Sequence, residues 1–263
     1  GLGRLAKAGT AAVYTAVGNG TTLTTGKKYY TSDAGEGEFT SNGTEVANGT
    51  NYFEMTTPAV AGVEAVEAKV YGDINVNLGS SDQNSSATAF NITYVNSGTN
   101  ENPVQVVNSG RVFGCNNLNG SPQGNVTVTV WKTVAGNTNR SGTANKNNAN
   151  ATYEVAAVYG GGNLANYTTA NKKTHVIING CSNTSIQYVY GGGNAAAVPE
   201  TDVDINAAYE LGYVFGGGNG KDQYTLDGTT WINNPGANVS GNANTVLTGG
   251  VIHEAFGGSN EKG

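Results

Sequence analysis

Charge is the scarcest ingredient of this 263-residue chain: Asp, Glu, Lys and Arg together make up 12% of it, about half of the usual quarter. The net charge is −6, and the basic residues cluster only as isolated pairs, Lys27-Lys28 and Lys172-Lys173. A phosphate backbone would be repelled, which excludes nucleic acid as an expected partner. No apolar stretch approaches the ~18 residues of a membrane span, so membrane insertion is not expected either. Proline is rare (5 residues), methionine occurs once, and no segment resembles a long amphipathic helix. The two histidines, His175 and His253, have no Ser or Cys partner in a nucleophile motif, and surface or capping roles are expected of them. The two cysteines, Cys115 and Cys181, lack further Cys or His at metal spacing, which argues against zinc. One disulfide and two separate buried thiols are both open readings, and a bond would place the chain outside the reducing cytosol. The chain opens on Gly1 with no Met and no visible signal peptide, as expected of a processed or excised segment.

What is abundant points to β-structure. Glycine reaches 40 residues, Asn and Thr are plentiful, and Val, Ile, Tyr and Thr fall in short alternating runs. One phrase recurs: Val158-Tyr159-Gly160-Gly161-Gly162-Asn163, again at 189–194, as Val214-Phe215-Gly216-Gly217-Gly218-Asn219, and more loosely as Ala255-Phe256-Gly257-Gly258-Ser259-Asn260. Val112-Phe113-Gly114-Cys115-Asn116-Asn117 is a decayed fifth copy. The closest pair begins 25 residues apart, at 189 and 214, and self-similarity on that scale marks a solenoid or array. Before most copies lies an alternating segment, such as Val126-Thr127-Val128-Thr129-Val130, Thr174-His175-Val176-Ile177-Ile178 or Thr201-Asp202-Val203-Asp204-Ile205. Alternation puts Val126, Val128 and Val130 on one face, as it does Val176 with Ile178 and Val203 with Ile205.

The predicted fold is therefore all-β: a small β-hairpin or meander module with its linker over 1–68, then a parallel β-helix (solenoid) over 69–263. Within the first part, 26–32 and 49–54 read as strands, 33–37 and 41–44 as turns, and 56–68 as a linker or docking strand. In stacked units, identical residues recur ~4.8 Å apart. Tyr159, Tyr190, Phe215 and Phe256 would then stack as rings, and Asn163, Asn194, Asn219 and Asn260 would form an amide ladder. Gly160, Gly191 and Gly216 would form corners, through positive φ and through avoidance of a clash with the next unit. The longer spacings predict loops over 135–152 and 221–243.

The pattern Thr-x-Val-x-Ile followed by Val-Tyr-Gly-Gly-Gly-Asn resembles the repeats of large secreted or surface proteins of gut bacteria. The resemblance spans 69–263 and implies β-solenoids with adhesin-like roles outside the cell. Residues 21–54, including Tyr29-Tyr30-Thr31-Ser32 and Gly49-Thr50-Asn51-Tyr52-Phe53, are similar to modules of gut phage fibres. Neither resemblance implies catalytic residues.

Four constellations carry candidate chemistry. The repeated glycines follow strands, as phosphate loops do, but no helical start follows them and no Lys or later acid stands in register; corners are the stronger reading. Glu200, Asp202 and Asp204 alternate on a strand, ~7 Å between neighbours. They would bind Ca²⁺, act as paired carboxylates with Lys221 as the only basic residue expected nearby, or simply face solvent. Tyrosine, at 14 residues, suits stacked wall ladders more than sugar platforms. Trp231, with Tyr224 in the same insertion, is different: a ring in a loop suits ligand binding.

The functional expectation is a non-enzymatic extracellular structural or adhesive protein of a cell surface or filament, with no cofactor unless Ca²⁺. Its expected partners are copies of itself and a cell-surface glycan or protein. A virion fibre or spike component is the alternative, and a β-helical polysaccharide lyase or glycoside hydrolase the second.

Overall fold

The computed structural model describes residues 6–82, 90–96, 105–133, 153–180, 184–220, 223–225, 231–233 and 236–261. No helix occurs among them, and the chain is all-β. It divides into two compact units, Leu5–Ala65 and Val66–Gly263.

In the first unit, β1 (Val13–Val17) pairs antiparallel with β4 (Tyr52–Thr57), and β2 (Lys28–Tyr29) with β3 (Phe39–Thr40). Asn-Gly steps turn the chain between them. Gly20, Gly43 and Gly49 each follow an Asn and hold φ of +79°, +92° and +85°, a region that L side chains avoid. Leu23, Tyr29 and Val46 are buried beneath Val17, Phe39 and Tyr52. Lys27 and Lys28 reach Glu54 and Glu38 at the surface. The stretch expected to link or dock does pair within this unit: Val60 and Val63 bridge Thr10 and Lys7.

The second unit holds β5 (Ile74–Leu78), β6 (Tyr94–Asn96), β7 (Gln105–Val107), β8 (Arg111–Phe113), β9 (Val126–Val130), β10 (Val155–Tyr159) and β11 (Thr174–Asn179). It continues with β12 (Ser185–Tyr190), β13 (Thr201–Ala207), β14 (Glu210–Phe215), β15 (Gln223–Thr225), β16 (Trp231–Asn233), β17 (Ala243–Leu247) and β18 (Ile252–Phe256). Ten of these strands form two parallel five-stranded sheets with open edges. One runs β5-β9-β11-β13-β17, the other β8-β10-β12-β14-β18, so successive repeats of the sequence pair side by side in both. A shorter third set of parallel contacts joins Val70 to Pro122 and Val198 to Val239.

Register follows the repeat. Val76, Val128, Val176, Val203 and Thr245 align across one sheet, and Val112, Val158, Val189, Val214 and Ala255 across the other. Val128, Val176, Val203, Val158, Val189 and Val214 are all fully buried in one cluster shared by the two sheets. Each such side chain contributes about 1.5–3 kcal/mol of burial. Thr174 and Thr201 open their strands facing inward. Their hydroxyls donate to the carbonyls of Gly191 and Gly216, at 2.6 Å in both cases. That satisfied donor explains why Thr, and not only Val, is tolerated there.

The strands of a pair are joined by very unequal connections. Only Ala208 and Tyr209 separate β13 from β14, whereas residues 79–110 separate β5 from β8 and include the antiparallel pair β6–β7. The loop expected over 135–152 lies outside the described residues. The one expected over 221–243 is narrower than that: β15 and β16 pair antiparallel within it, and Val239 and Asn242 already join the parallel contacts.

The corner glycines act differently from the sequence expectation in one respect. Gly160, Gly191 and Gly216 do not hold positive φ. Their requirement is purely one of space: a Cβ at each would lie under 3.0 Å from the carbonyl oxygen of the corresponding glycine in the next repeat.

Candidate functional site

The residues of the recurring phrase form two columns that run the length of the parallel sheets. Phe113, Tyr159, Tyr190, Phe215 and Phe256 stack face to face, with centroids 4.8, 4.7, 4.9 and 5.1 Å apart and planes within 11° of parallel. Beside them, Asn163 Nδ2 donates to Asn117 Oδ1, Asn194 to Asn163, Asn219 to Asn194 and Asn260 to Asn219, each at 2.9 Å. The columns are tied together, because the Tyr159 and Tyr190 hydroxyls donate to Asn194 Oδ1 at 3.2 Å and to Asn219 Oδ1 at 3.1 Å. Burial drives the Tyr190 hydroxyl well above the usual tyrosine range, and the neighbouring Tyr159 adds to this. A second, half-buried pair, Tyr188 and Tyr213, stacks alongside at 5.2 Å. Asn117 and Phe113 belong to the columns although their copy of the phrase has decayed; their offset from Val112 is the signal that finds them.

The acidic trio does not assemble as a cation site. Asp202 and Asp204 share the outer face of β13, opposite the buried Val203 and Ile205, and Glu200 lies just before the strand. Lys173 and Asn244 both donate to Asp202, the latter at 3.0 Å, while Asp204 pairs with His175 Nε2 at 2.7 Å. Among the described residues no group of three His, Cys, Asp or Glu side chains is placed to hold a metal ion. The reason is register: parallel pairing brings His175 opposite Asp202, and the start of β11 beside the start of β13, so Asp202 and Asp204 each find a partner in the neighbouring repeat. Lys173 is a cation beside the trio; Lys221, the one expected there, lies outside the described residues.

Burial raises the carboxyl of Asp202, but the hydrogen bonds from Lys173 and Asn244 outweigh it and hold the group below the usual carboxylate range. That is the reverse of what a proton donor in glycoside hydrolysis needs. A depressed folded-state value adds stability above the unfolded value of about 3.9, and that stability is lost as pH falls through the folded value. Urea midpoints should therefore drop with acidification below about pH 4, and Asp202→Asn should flatten that drop; an unchanged slope would refute the role given to this pair.

The other candidates are dispersed. Cys115 is a free thiol, half-buried, contacting the Gly160 carbonyl at 3.5 Å, and burial pushes it up to about 12, far from a reactive thiolate. Cys181 lies outside the described residues. Tyr224 and Trp231 stand on β15 and β16, where Tyr224 aligns with Ile232 and Trp231 with Thr225. His253 Nε2 meets the buried Glu210 at 2.8 Å. No helix follows the corner glycines: Asn163, Leu164, Asn194 and Ala195 donate their backbone N–H groups to carbonyls of the preceding repeat, which leaves no cradle for a phosphate.

Comparison with protein-family models, with curated proteins and with solved structures finds no match to this chain. The functional reading thus rests on geometry. What the geometry offers is a polar row, with Asn75, Thr127, His175, Asp202 and Asn244 matched in register. Such a row presents hydrogen-bonding groups at the strand spacing of ~4.8 Å.

Proposed function

We propose that this chain is a non-enzymatic extracellular structural or adhesive protein, whose second unit winds as a parallel β-helix. The observation that carries the reading is the pair of tyrosine–phenylalanine and asparagine columns. Each repeat's phrase is consumed in holding its neighbours, at ring spacings of 4.7–5.1 Å and amide contacts of 2.9 Å. A winding chain would produce the matched strand order of the two sheets and the third set of parallel bridges. The phrase is thereby spent on scaffold, and recognition falls to residues outside it: the polar outer row and the β15–β16 hairpin with Trp231.

The cellular placement follows from the resemblance to surface-protein repeats. The ligand class that suits a row of amides, hydroxyls and carboxylates, with an aromatic residue available on a separate hairpin, is a cell-surface glycan. On an array of glycans and surface proteins, the chain should bind a defined subset, and Trp231→Ala should weaken that binding about tenfold while leaving the thermal midpoint unchanged. Steady cleavage of any polysaccharide by the parent chain would overturn the non-enzymatic reading. Equal binding by parent and Trp231→Ala would remove the hairpin from the site.

A further inference from the structure

The first unit has a recess of its own, a cavity of about 380 Å³. That volume lies near the lower end of the ~300–1,000 Å³ usual for small-molecule sites. Its depth is apolar. Leu23 is 3% exposed, and Phe39 on β3 and Tyr52 on β4 are half-buried against it. The two rings lie 4.9 Å apart, tilted by 57°. The rim is polar: Thr40, Asn42, Thr44 and Thr50 bring hydroxyl and amide groups, and Glu45 is the only charged residue of the lining. Among the described residues no hydrogen bond or ion pair engages the Glu45 carboxylate or the hydroxyls of Thr40 and Thr50.

The wall that carries these groups is held by its own backbone. Ser41, 4% exposed, accepts from Gly26 N at 2.8 Å and donates to the Lys27 carbonyl at 2.9 Å, and its hydroxyl accepts from Gly43 N at 3.0 Å. Leu23 N donates to the Thr44 carbonyl at 3.0 Å and Val46 N to the Thr21 carbonyl at 2.9 Å, which fixes Glu45 between them. Thr50 N closes a turn onto the Ala47 carbonyl at 3.1 Å. A recess ordered in this way loses little freedom when a ligand enters.

We infer that this cavity binds a neutral sugar residue of a surface glycan. A sugar ring has apolar C–H faces and a girdle of hydroxyls, and the cavity sets an aromatic wall among donors and acceptors. The Glu45 carboxylate accepts from sugar hydroxyls and repels a uronate or a phosphate, and no cation lines the cavity to hold an anion. A lysine side chain would satisfy Glu45 but leave the threonine and asparagine groups of the rim unmatched. The site belongs to the first unit alone, so it stands or falls separately from the polar row and the Trp231 hairpin.

Isothermal titration calorimetry of the 263-residue chain tests this. The probes are the methyl glycosides of galactose, glucose, mannose and N-acetylglucosamine, with galacturonate and Nα-acetyl-lysine amide as charged controls. At least one neutral glycoside should fill a single site with Kd of about 1 mM or tighter, and galacturonate should bind at least tenfold more weakly. Glu45→Gln should weaken the glycoside about tenfold, and Ala47→Tyr, which fills the cavity from its lining, should abolish binding. Both positions are exposed, so circular dichroism and the thermal midpoint should match the parent. Trp231→Ala should bind the glycoside as the parent does. The proposal is overturned if no neutral glycoside binds, if galacturonate binds equally well, or if only the lysine amide binds. Glycoside binding undiminished in both Glu45→Gln and Ala47→Tyr overturns it too. Loss of the glycoside in Trp231→Ala would move the sugar to the hairpin, so that this inference fails while the earlier one stands. Loss in Glu45→Gln with full binding in Trp231→Ala upholds the cavity even where the hairpin binds nothing.

Discussion

Gly191→Val should destabilise the second unit as a whole rather than perturb it locally. The new side chain would meet the Gly216 carbonyl, the Thr201 Cβ and the Val203 methyl, all under 3.0 Å away. Two of these neighbours are backbone or the base of a side chain, so neither can turn aside. Val203 is itself fully buried. Overpacking in a close-packed interior costs about 1–3 kcal/mol when side chains can shift, and here backbone must separate from backbone, so a loss of at least about 3 kcal/mol is expected. The separation would also strip the hydrogen bonds from Gly191 N to the Phe215 carbonyl and from Thr174 Oγ1 to the Gly191 carbonyl. Against a total stability of about 5–15 kcal/mol this is a large share. Thermal unfolding followed by circular dichroism checks it, and a midpoint within about 2 °C of the parent would show that the corner is looser than described.

Asn194→Leu is the second large effect expected, about 2–4 kcal/mol. The side chain is 1% exposed and makes three contacts with other repeats: Nδ2 to Asn163 Oδ1, and Oδ1 from both Asn219 Nδ2 and the Tyr159 hydroxyl. Removing it strands one acceptor and two donors in a buried site, and it is the stranded partners that carry the cost. Asn260→Leu at the exposed end breaks a single ladder bond and should cost about 1 kcal/mol or less. Urea denaturation of the two variants side by side gives the comparison; equal losses would mean that the ladder is not a connected network.

Much of the architecture is legible because one physical demand recurs. Val128, Val176 and Val203 alternate with polar residues, so their inward face can be read from period two alone. The phrase itself announces stacking, since a ring, a bare backbone and an amide are each more useful beside a copy of themselves than alone. Two things escape that logic. The first is mechanism at the corner: glycine is permissive for two reasons, and sequence cannot distinguish positive φ from lack of room. Gly114 decides it, because the decayed copy keeps this one glycine, the one against the Gly160 carbonyl, while Cys115 replaces the next. The second is the partner of each charge. Lys173 and Asp202, or His175 and Asp204, are joined by register across repeats rather than by nearness along the chain, and the eye reading Glu200-Thr201-Asp202-Val203-Asp204 sees only like charges. Outward side chains are the least legible of all, because stacking places no demand on them.

The unequal connections between paired strands have a practical meaning. Ala208 and Tyr209 suffice to pass from β13 to β14, yet residues 79–110 make the same passage from β5 to β8, and both pairs keep register with their neighbours. Connection length is therefore uncoupled from the frame. A foreign peptide grafted between Ala208 and Tyr209 would be flanked by two strands whose places in their sheets are set by their neighbours, which makes this passage a site for displaying an epitope on a fixed frame.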